Sequence, residues 1–218
     1  MFGGLLKKLK QVAHLIFIVL FITLLVPLQI HAQRISGIGI KGGLNIANIL
    51  FPEPAEKWNV KTGLIAGGFI TFTINELLAI QPEFLISEKG AIWQGLFEGK
   101  DTEVTANITY LDIPVLWKFY LPSLSKSPVR PNLYWGPCWS IKLIGTRSTK
   151  LGEVIQEDDI QDLNETDFSL LFGGGIDFDV QTGKICIDFR YGISYSKIFR
   201  IDKDKNRVVS FLISYSFF

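Results

Sequence analysis

Histidine is all but missing from this chain of 218 residues: His14 and His31 are the only two, and both fall within the first 32 positions. That stretch carries the signature of a removable leader, so the mature chain is expected to hold no imidazole. Serine or cysteine triads that rely on histidine, His-ligated zinc and His general bases are thereby excluded. Cysteine is almost as scarce. Cys138 and Cys186 fall on two non-adjacent strands, about twice the ~4.8 Å strand spacing apart and beyond the ~7 Å limit on Cα separation for a bridge. Export would permit a disulfide, but two unpaired inward thiols are expected. An excess of one charge is lacking too, with 22 basic against 21 acidic residues, so nothing points to nucleic acid. Charged residues make up only 20% and aromatics 13%, which is too apolar for a disordered chain, and the 20 glycines follow no collagen-like period. One folded domain is the default reading.

Long hydrophobic runs are limited to one, Leu15 to Val26, broken only by Thr23. Lys7, Lys8 and Lys10 precede it; Pro27, Gln29 and the small Ala32 follow, just before Gln33. This is the order of a helical secretory signal peptide over residues 1–32, cleaved between Ala32 and Gln33, with the mature domain over 33–218. A retained anchor over Val12 to Ile30 is the alternative; the short apolar core favours the signal peptide. No cysteine lies near the cleavage region, so a lipid-modified amino terminus is not indicated. Cleavage removes three bases and no acids, leaving a slightly acidic mature chain.

Beyond residue 32, period-two alternation recurs in eight segments. They are Ile35 to Ile46, Thr62 to Ile74, Leu78 to Glu88, Tyr110 to Tyr120, Asn132 to Leu143, Asp167 to Val180, Lys184 to Tyr195 and Val209 to Phe217. One parity is crowded with Phe, Trp, Tyr, Ile and Leu; the other mixes Gly, Ser and Thr with isolated charges. A soluble sandwich or a lipocalin-like periplasmic carrier would bury the apolar face. An apolar-out, polar-in wall fits better: an all-β, eight-stranded antiparallel transmembrane β-barrel with meander topology, whose segments meet the ~9–11 residues a bilayer demands. Short links at Asn75-Glu76 and Gln181-Thr182-Gly183 alternate with longer ones at Ala47 to Val60, Gly90 to Glu103, Gly145 to Thr166 and Arg200 to Asn206. Short periplasmic turns, long outer loops and two periplasmic termini are the implied arrangement. Leu121 to Arg130 is long for a periplasmic turn.

Phe72, Trp117, Phe119, Trp135, Phe178, Tyr215 and Phe217 would then line the periplasmic rim, and Trp93, Tyr195 and Phe199 the outer one, where amphipathic rings favour the membrane interface. An ordinary aromatic-rich core is the competing reading. The lumen would carry Lys41, Lys118, Lys142 and Arg190 with Glu83, Asp112, Asp177 and Asp188, equal numbers of each sign. Side chains fill an eight-stranded interior, so a paired internal plug is expected; a narrow ion pathway or buried acid/base pair is the functional alternative. The loop acids Glu153, Glu157, Asp158, Asp159, Asp162 and Glu165 read as a solvated loop or as a cation-bridged contact with lipopolysaccharide or a partner protein. Asn107-Ile-Thr and Asn164-Glu-Thr match a glycosylation pattern, read as chance in this setting. No catalytic, cofactor or metal site is expected.

The chain resembles the PorT-like outer-membrane β-barrel family of the Bacteroidetes type. The resemblance rests on the order and spacing of Gly39-Ile-Lys-Gly-Gly-Leu-Asn, Gln81-Pro-Glu-Phe, Lys89-Gly90, Leu111-Asp-Ile-Pro-Val-Leu, Tyr134-Trp-Gly-Pro, Gly173-Gly-Gly-Ile-Asp, the Arg190-Tyr pair and the final Ser214-Tyr-Ser-Phe-Phe. It implies a Gram-negative cell-envelope protein in contact with outer-membrane lipids and lipopolysaccharide. It also implies that the barrel-assembly machinery reads Phe218, although the outward parity of the last strand runs through Phe217. Some members of that family serve type IX secretion. The expected function is a non-enzymatic outer-membrane barrel with a structural, surface-interaction or accessory role, with a component of a secretion apparatus as the alternative. A lipid-modifying barrel enzyme would usually need a histidine or an equivalently activated nucleophile.

Overall fold

The computed structural model describes residues 34–50, 58–97, 100–122, 128–152, 154–160, 163–196 and 205–218. The expected signal peptide with its Ala32/Gln33 junction, and Phe199, Glu153 and Asp162, lie outside the described residues. Nine strands follow one another: β1 (Arg34–Leu50), β2 (Trp58–Thr73), β3 (Leu78–Phe97), β4 (Lys100–Tyr120), β5 (Val129–Leu151), β6 (Val154–Asp159), β7 (Thr166–Val180), β8 (Gly183–Ser194) and β9 (Lys205–Ser216). Their order is β4-β3-β2-β1-β9-β8-β7-β5-β6, and a β4–β5 pairing closes the ring. Every pairing is antiparallel. Eight strands therefore form a closed meander barrel, as the alternation predicts, while β6, among the described residues, pairs with the end of β5 over Thr146 to Leu151.

Alternation decides which side chains point where. On β1, Ile38, Ile40, Leu44 and Ile46 are exposed, and Lys41 and Asn45 are buried. The same inversion holds around the ring: Leu64 (62%), Phe84 (57%), Trp139 (58%) and Ile213 (63%) are exposed, while Glu83 (0%) and Arg190 (3%) are buried. In water each such apolar side chain would forgo about 1.5–3 kcal/mol relative to burial; facing hydrocarbon it forgoes little.

The strands at one end run longer than the alternation suggests. β3, β4 and β5 have 20, 21 and 23 residues, against 12 for β8 and for β9. The segments expected as loops, Gly90 to Glu103 and Gly145 to Thr166, are largely strand: β3 and β4 pair out to Phe97/Lys100, and β5 folds back as the β5–β6 hairpin through Gly152 at φ 63°. This correction has a simple cause. In this part the inward positions Ala91, Ala106 and Ile108 are apolar, so the apolar-out, polar-in contrast does not run on, and Thr102, Thr105, Thr109, Thr146 and Thr149 hold the strands by β-propensity and ladder bonds.

The opposite end carries the first described residue, Arg34, the carboxy terminus and the tight turns. At 74–77 the Asn75 side chain accepts from the Leu77 and Leu78 amides, both at 2.9 Å. The 181–182 turn is pinned by Tyr215, whose hydroxyl donates to the Thr182 carbonyl at 3.0 Å.

Three prolines break the ladder in the middle of the wall. Register is kept across each seam, yet pairing skips two residues per strand between Phe69/Glu83 and Phe72/Ile80 (β2–β3), between Pro82/Val115 and Leu85/Asp112 (β3–β4), and between Pro114/Cys138 and Trp117/Trp135 (β4–β5). Continuing each register sets Pro82 opposite Ile70, Pro114 opposite Glu83 and Pro137 opposite Val115. Proline has no N–H to donate, so the carbonyls of Ile70, Glu83 and Val115 lose their ladder donors.

Candidate functional site

The barrel interior gathers the charged side chains of strands far apart in sequence. Glu83 on β3 is the hub. Lys41 Nζ of β1 donates to it at 2.8 Å, Arg190 of β8 grips both carboxylate oxygens at 2.9 and 3.1 Å, and Gln81 Nε2 adds a bond of 2.7 Å. Lys41 also reaches Asp188 at 3.0 Å, and the Cys186 thiol donates to Asp188 at 3.3 Å. The Arg190 guanidinium lies over the Tyr134 ring and Lys41 over Phe69, at 5.3 and 5.5 Å. Such a pairing offsets the desolvation of each ion, and the fork geometry of arginine fixes its orientation.

Two further pairs flank the hub. Toward the terminus-bearing end, Lys118 of β4 meets Asp177 of β7 at 3.0 and 3.1 Å, with Asn132 Nδ2 on the same carboxylate at 2.9 Å. Toward the other end, Lys89 of β3 meets Asp112 of β4 at 2.9 Å and Ser140 at 3.3 Å, over the Tyr110 ring at 4.8 Å. Asp167 accepts a hydrogen bond from Ser194. Above these, Ala91, Ala106, Ile108, Tyr110, Ile160 and Leu163 pack into a buried apolar cap. A cavity of about 30 Å³, one water in size, lies below it beside Asp167 and Asn206. A larger one, about 390 Å³, opens at the terminus-bearing end.

Of the eight charges expected in the lumen, the structure brings together Lys41, Glu83, Asp188 and Arg190 in one cluster and Lys118 with Asp177 in another. Asp112 pairs with Lys89, one residue beyond the expected strand segment. Lys142 joins neither cluster: it is half-buried and, among the described residues, forms no ion pair. Its parity is inward, as it pairs with buried Tyr110; the register slips just beyond it, between Tyr110/Lys142 and Thr109/Ile144, where Leu143 bulges. The buried ionic groups among the described residues are thus Lys41, Lys89, Lys118 and Arg190 with Glu83, Asp112, Asp167, Asp177 and Asp188. Lys89 and Asp167 share the parity of Glu83 and Asp177 in the sequence, and that signal alone locates them. Tyr110 and Tyr134, also inward, carry the same signal.

Among the aromatics expected at the rims, Trp117 stacks on Trp135 at 4.8 Å and Tyr215 meets Phe217 edge-on at 5.4 Å. Phe72, Phe119 and Phe178 sit on the outer parity near the terminus-bearing end. Trp93 lies opposite Trp58 near the other end, and exposed Tyr195 follows β8 there. Phe218 is exposed, its carbonyl accepting from Ser216 Oγ at 2.6 Å. Both cysteines are free and buried. Among the described residues no cluster of three or more His, Cys, Asp or Glu side chains is placed to hold a metal ion.

An inverted barrel wall around an ionic interior defines a class, the membrane β-barrel. The chain matches the outer membrane protein beta-barrel domain family over residues 29–200 and belongs to it; it is an outer-membrane β-barrel. Among solved structures it is similar to Ail, the attachment invasion locus protein of Yersinia pestis (14% identity, 84% of this chain and 100% of that one, TM-score 0.43). It is also similar to OprG from Pseudomonas aeruginosa (14% identity, 85% and 98%, TM-score 0.48) and to Neisserial surface protein A (13% identity, 85% and 100%, TM-score 0.43). A search of curated proteins finds no match.

Proposed function

We propose that this chain is a non-enzymatic, non-conducting barrel of the outer membrane that serves a structural, surface-interaction or accessory role at its two ends. The observation that carries the reading is the Lys41–Glu83–Arg190 cluster, which spans the lumen between β1, β3 and β8 with every member buried. An interior filled at mid-height offers a solute no path. In this reading the termini face the periplasm, the β3–β6 extension faces outward, lipid and lipopolysaccharide surround the apolar band, and the barrel-assembly machinery engages the terminal Phe218. Reconstitution into planar bilayers tests it: no conductance steps above the lipid baseline are expected, and steady unitary currents would overturn it.

A second reading, a component of a type IX secretion apparatus, is favoured by the PorT-like motifs, three of which supply the prolines of the interrupted wall. Deleting the protein should then abolish export of specific substrates; normal export would end that reading.

A further inference from the structure

The cavity at the terminus-bearing end serves neither the central ion cluster nor the lipid face. Its volume, about 390 Å³, falls within the range of small-molecule sites. Lys118, Asp177 and Asp188 line it, and these are already neutralised, Lys118 by Asp177 and Asp188 by Lys41. Its walls differ in chemistry. β1, β2 and β9 contribute hydroxyls, Ser36, Thr71, Thr73, Ser214 and Ser216. β5 and β8 contribute Arg130 and Lys184, which among the described residues form no ion pair, although Asp179 is the register partner of Lys184. Every cation in the central network, by contrast, has a carboxylate within 3.0 Å.

Arg130 is also held in place. Its guanidinium lies over Tyr120 at 4.4 Å, and one Nη donates to the Glu76 carbonyl at 3.0 Å, a geometry that leaves donors of the fork for a ligand. Glu76 borders the cavity too, so the unpaired lining residues are two cations against one anion. Phe69 and Tyr120 add flat apolar surface.

We propose that this vestibule binds a hydroxyl-rich carboxylate the size of one acidic sugar. The acid group sits on Arg130 and Lys184, the hydroxyls on the serine and threonine wall. The same chemistry occurs in muramic acid of the cell wall and in the octulosonic acid of lipopolysaccharide. The test uses the full chain folded in detergent micelles and three probes: N-acetylmuramic acid, 3-deoxy-manno-octulosonic acid, and N-acetylglucosamine as an uncharged twin. Calorimetric titration reads affinity. Protection of Cys186, which lines the cavity, from maleimide reads location, with Cys138 in the inner cavity as the internal control.

At least one acid should bind and N-acetylglucosamine should bind about tenfold more weakly, the effect of losing one charge-assisted contact. R130Q and K184Q should each weaken the acid by a similar factor while heat-modifiable gel migration stays unchanged. Tighter binding of the muramic acid assigns the cell-wall source, and tighter binding of the octulosonic acid the lipopolysaccharide source. Calorimetry with no heat for either acid, equal binding of the uncharged sugar, or unchanged affinity in R130Q and K184Q would overturn the proposal. None of these outcomes bears on whether the barrel conducts.

Discussion

The two halves of the barrel wall are knitted differently. From β5 through β7, β8 and β9 to β1, the paired residues run without a gap: Val129/Phe178 to Ile141/Thr166, Ser169/Ser194 to Val180/Gly183, Lys184/Ser216 to Ile193/Arg207, and Gly39/Ser216 to Leu50/Lys205. From β2 to β5, each of three successive seams loses pairing at Pro82, Pro114 or Pro137. A backbone carbonyl without a donor is costly where lipid replaces water, so the interrupted half needs support that the ladder does not give. The interior supplies it. Glu83, at the centre of the interrupted half, is clasped by Lys41 and Arg190 from the continuous half, and Lys118 of β4 reaches across to Asp177 of β7. The lesson is that the ion network ties the two halves together as a crossbar.

Removing the hub should give the largest effect. Glu83→Ala leaves Lys41 and Arg190 without their shared acceptor and should cost about 3–5 kcal/mol, read from denaturant unfolding in lipid vesicles. The triple change Lys41→Met, Glu83→Leu, Arg190→Met should recover most of that loss, because no buried charge is then stranded. If Glu83→Ala unfolds at the wild-type midpoint, the crossbar role is wrong.

The lipid face should not distinguish the halves. Phe84→Arg on β3 and Ile213→Arg on β9 should each cost about 2–4 kcal/mol if they lie near mid-bilayer, and a loss confined to one would show that only that side meets lipid. A smaller effect of opposite sign is expected from Pro137→Val, which returns an N–H opposite the Val115 carbonyl and should stabilise by about 0.5–1.5 kcal/mol. The smallest is a ranking: backbone amides along the β2–β5 seams should exchange with deuterium sooner than those between β8 and β9.

Much of this wall is legible in the sequence because each strand stands between two unlike surroundings, lipid outside and a charged lumen inside. Ile38, Ile40, Leu44 and Ile46 against Lys41 and Asn45 suffice to orient β1. Where that contrast ends the signal ends, so the outer halves of β3 to β5 and all of β6 read as loops. Lys89 keeps the inward parity of Glu83 but lies beyond the expected end of its segment, and the bulge at Leu143, just past Lys142, is one that local alternation does not announce. The hub itself is non-local: Glu83 and Arg190 are 107 residues apart, and their meeting depends on how many strands close the ring. The proline row is hidden for the same reason. Each proline is visible in its own motif, but only the registers between strands place Pro82, Val115 and Pro137 at one level.

Brominated-lipid quenching of Trp139 tests the inside-out arrangement most directly. In a variant whose other four tryptophans are phenylalanine, Trp139, 58% exposed on the outer face, should be quenched strongly by vesicle lipids brominated along the acyl chain and little by aqueous acrylamide. Strong acrylamide quenching with no response to bromine would contradict a barrel whose apolar side chains face the bilayer.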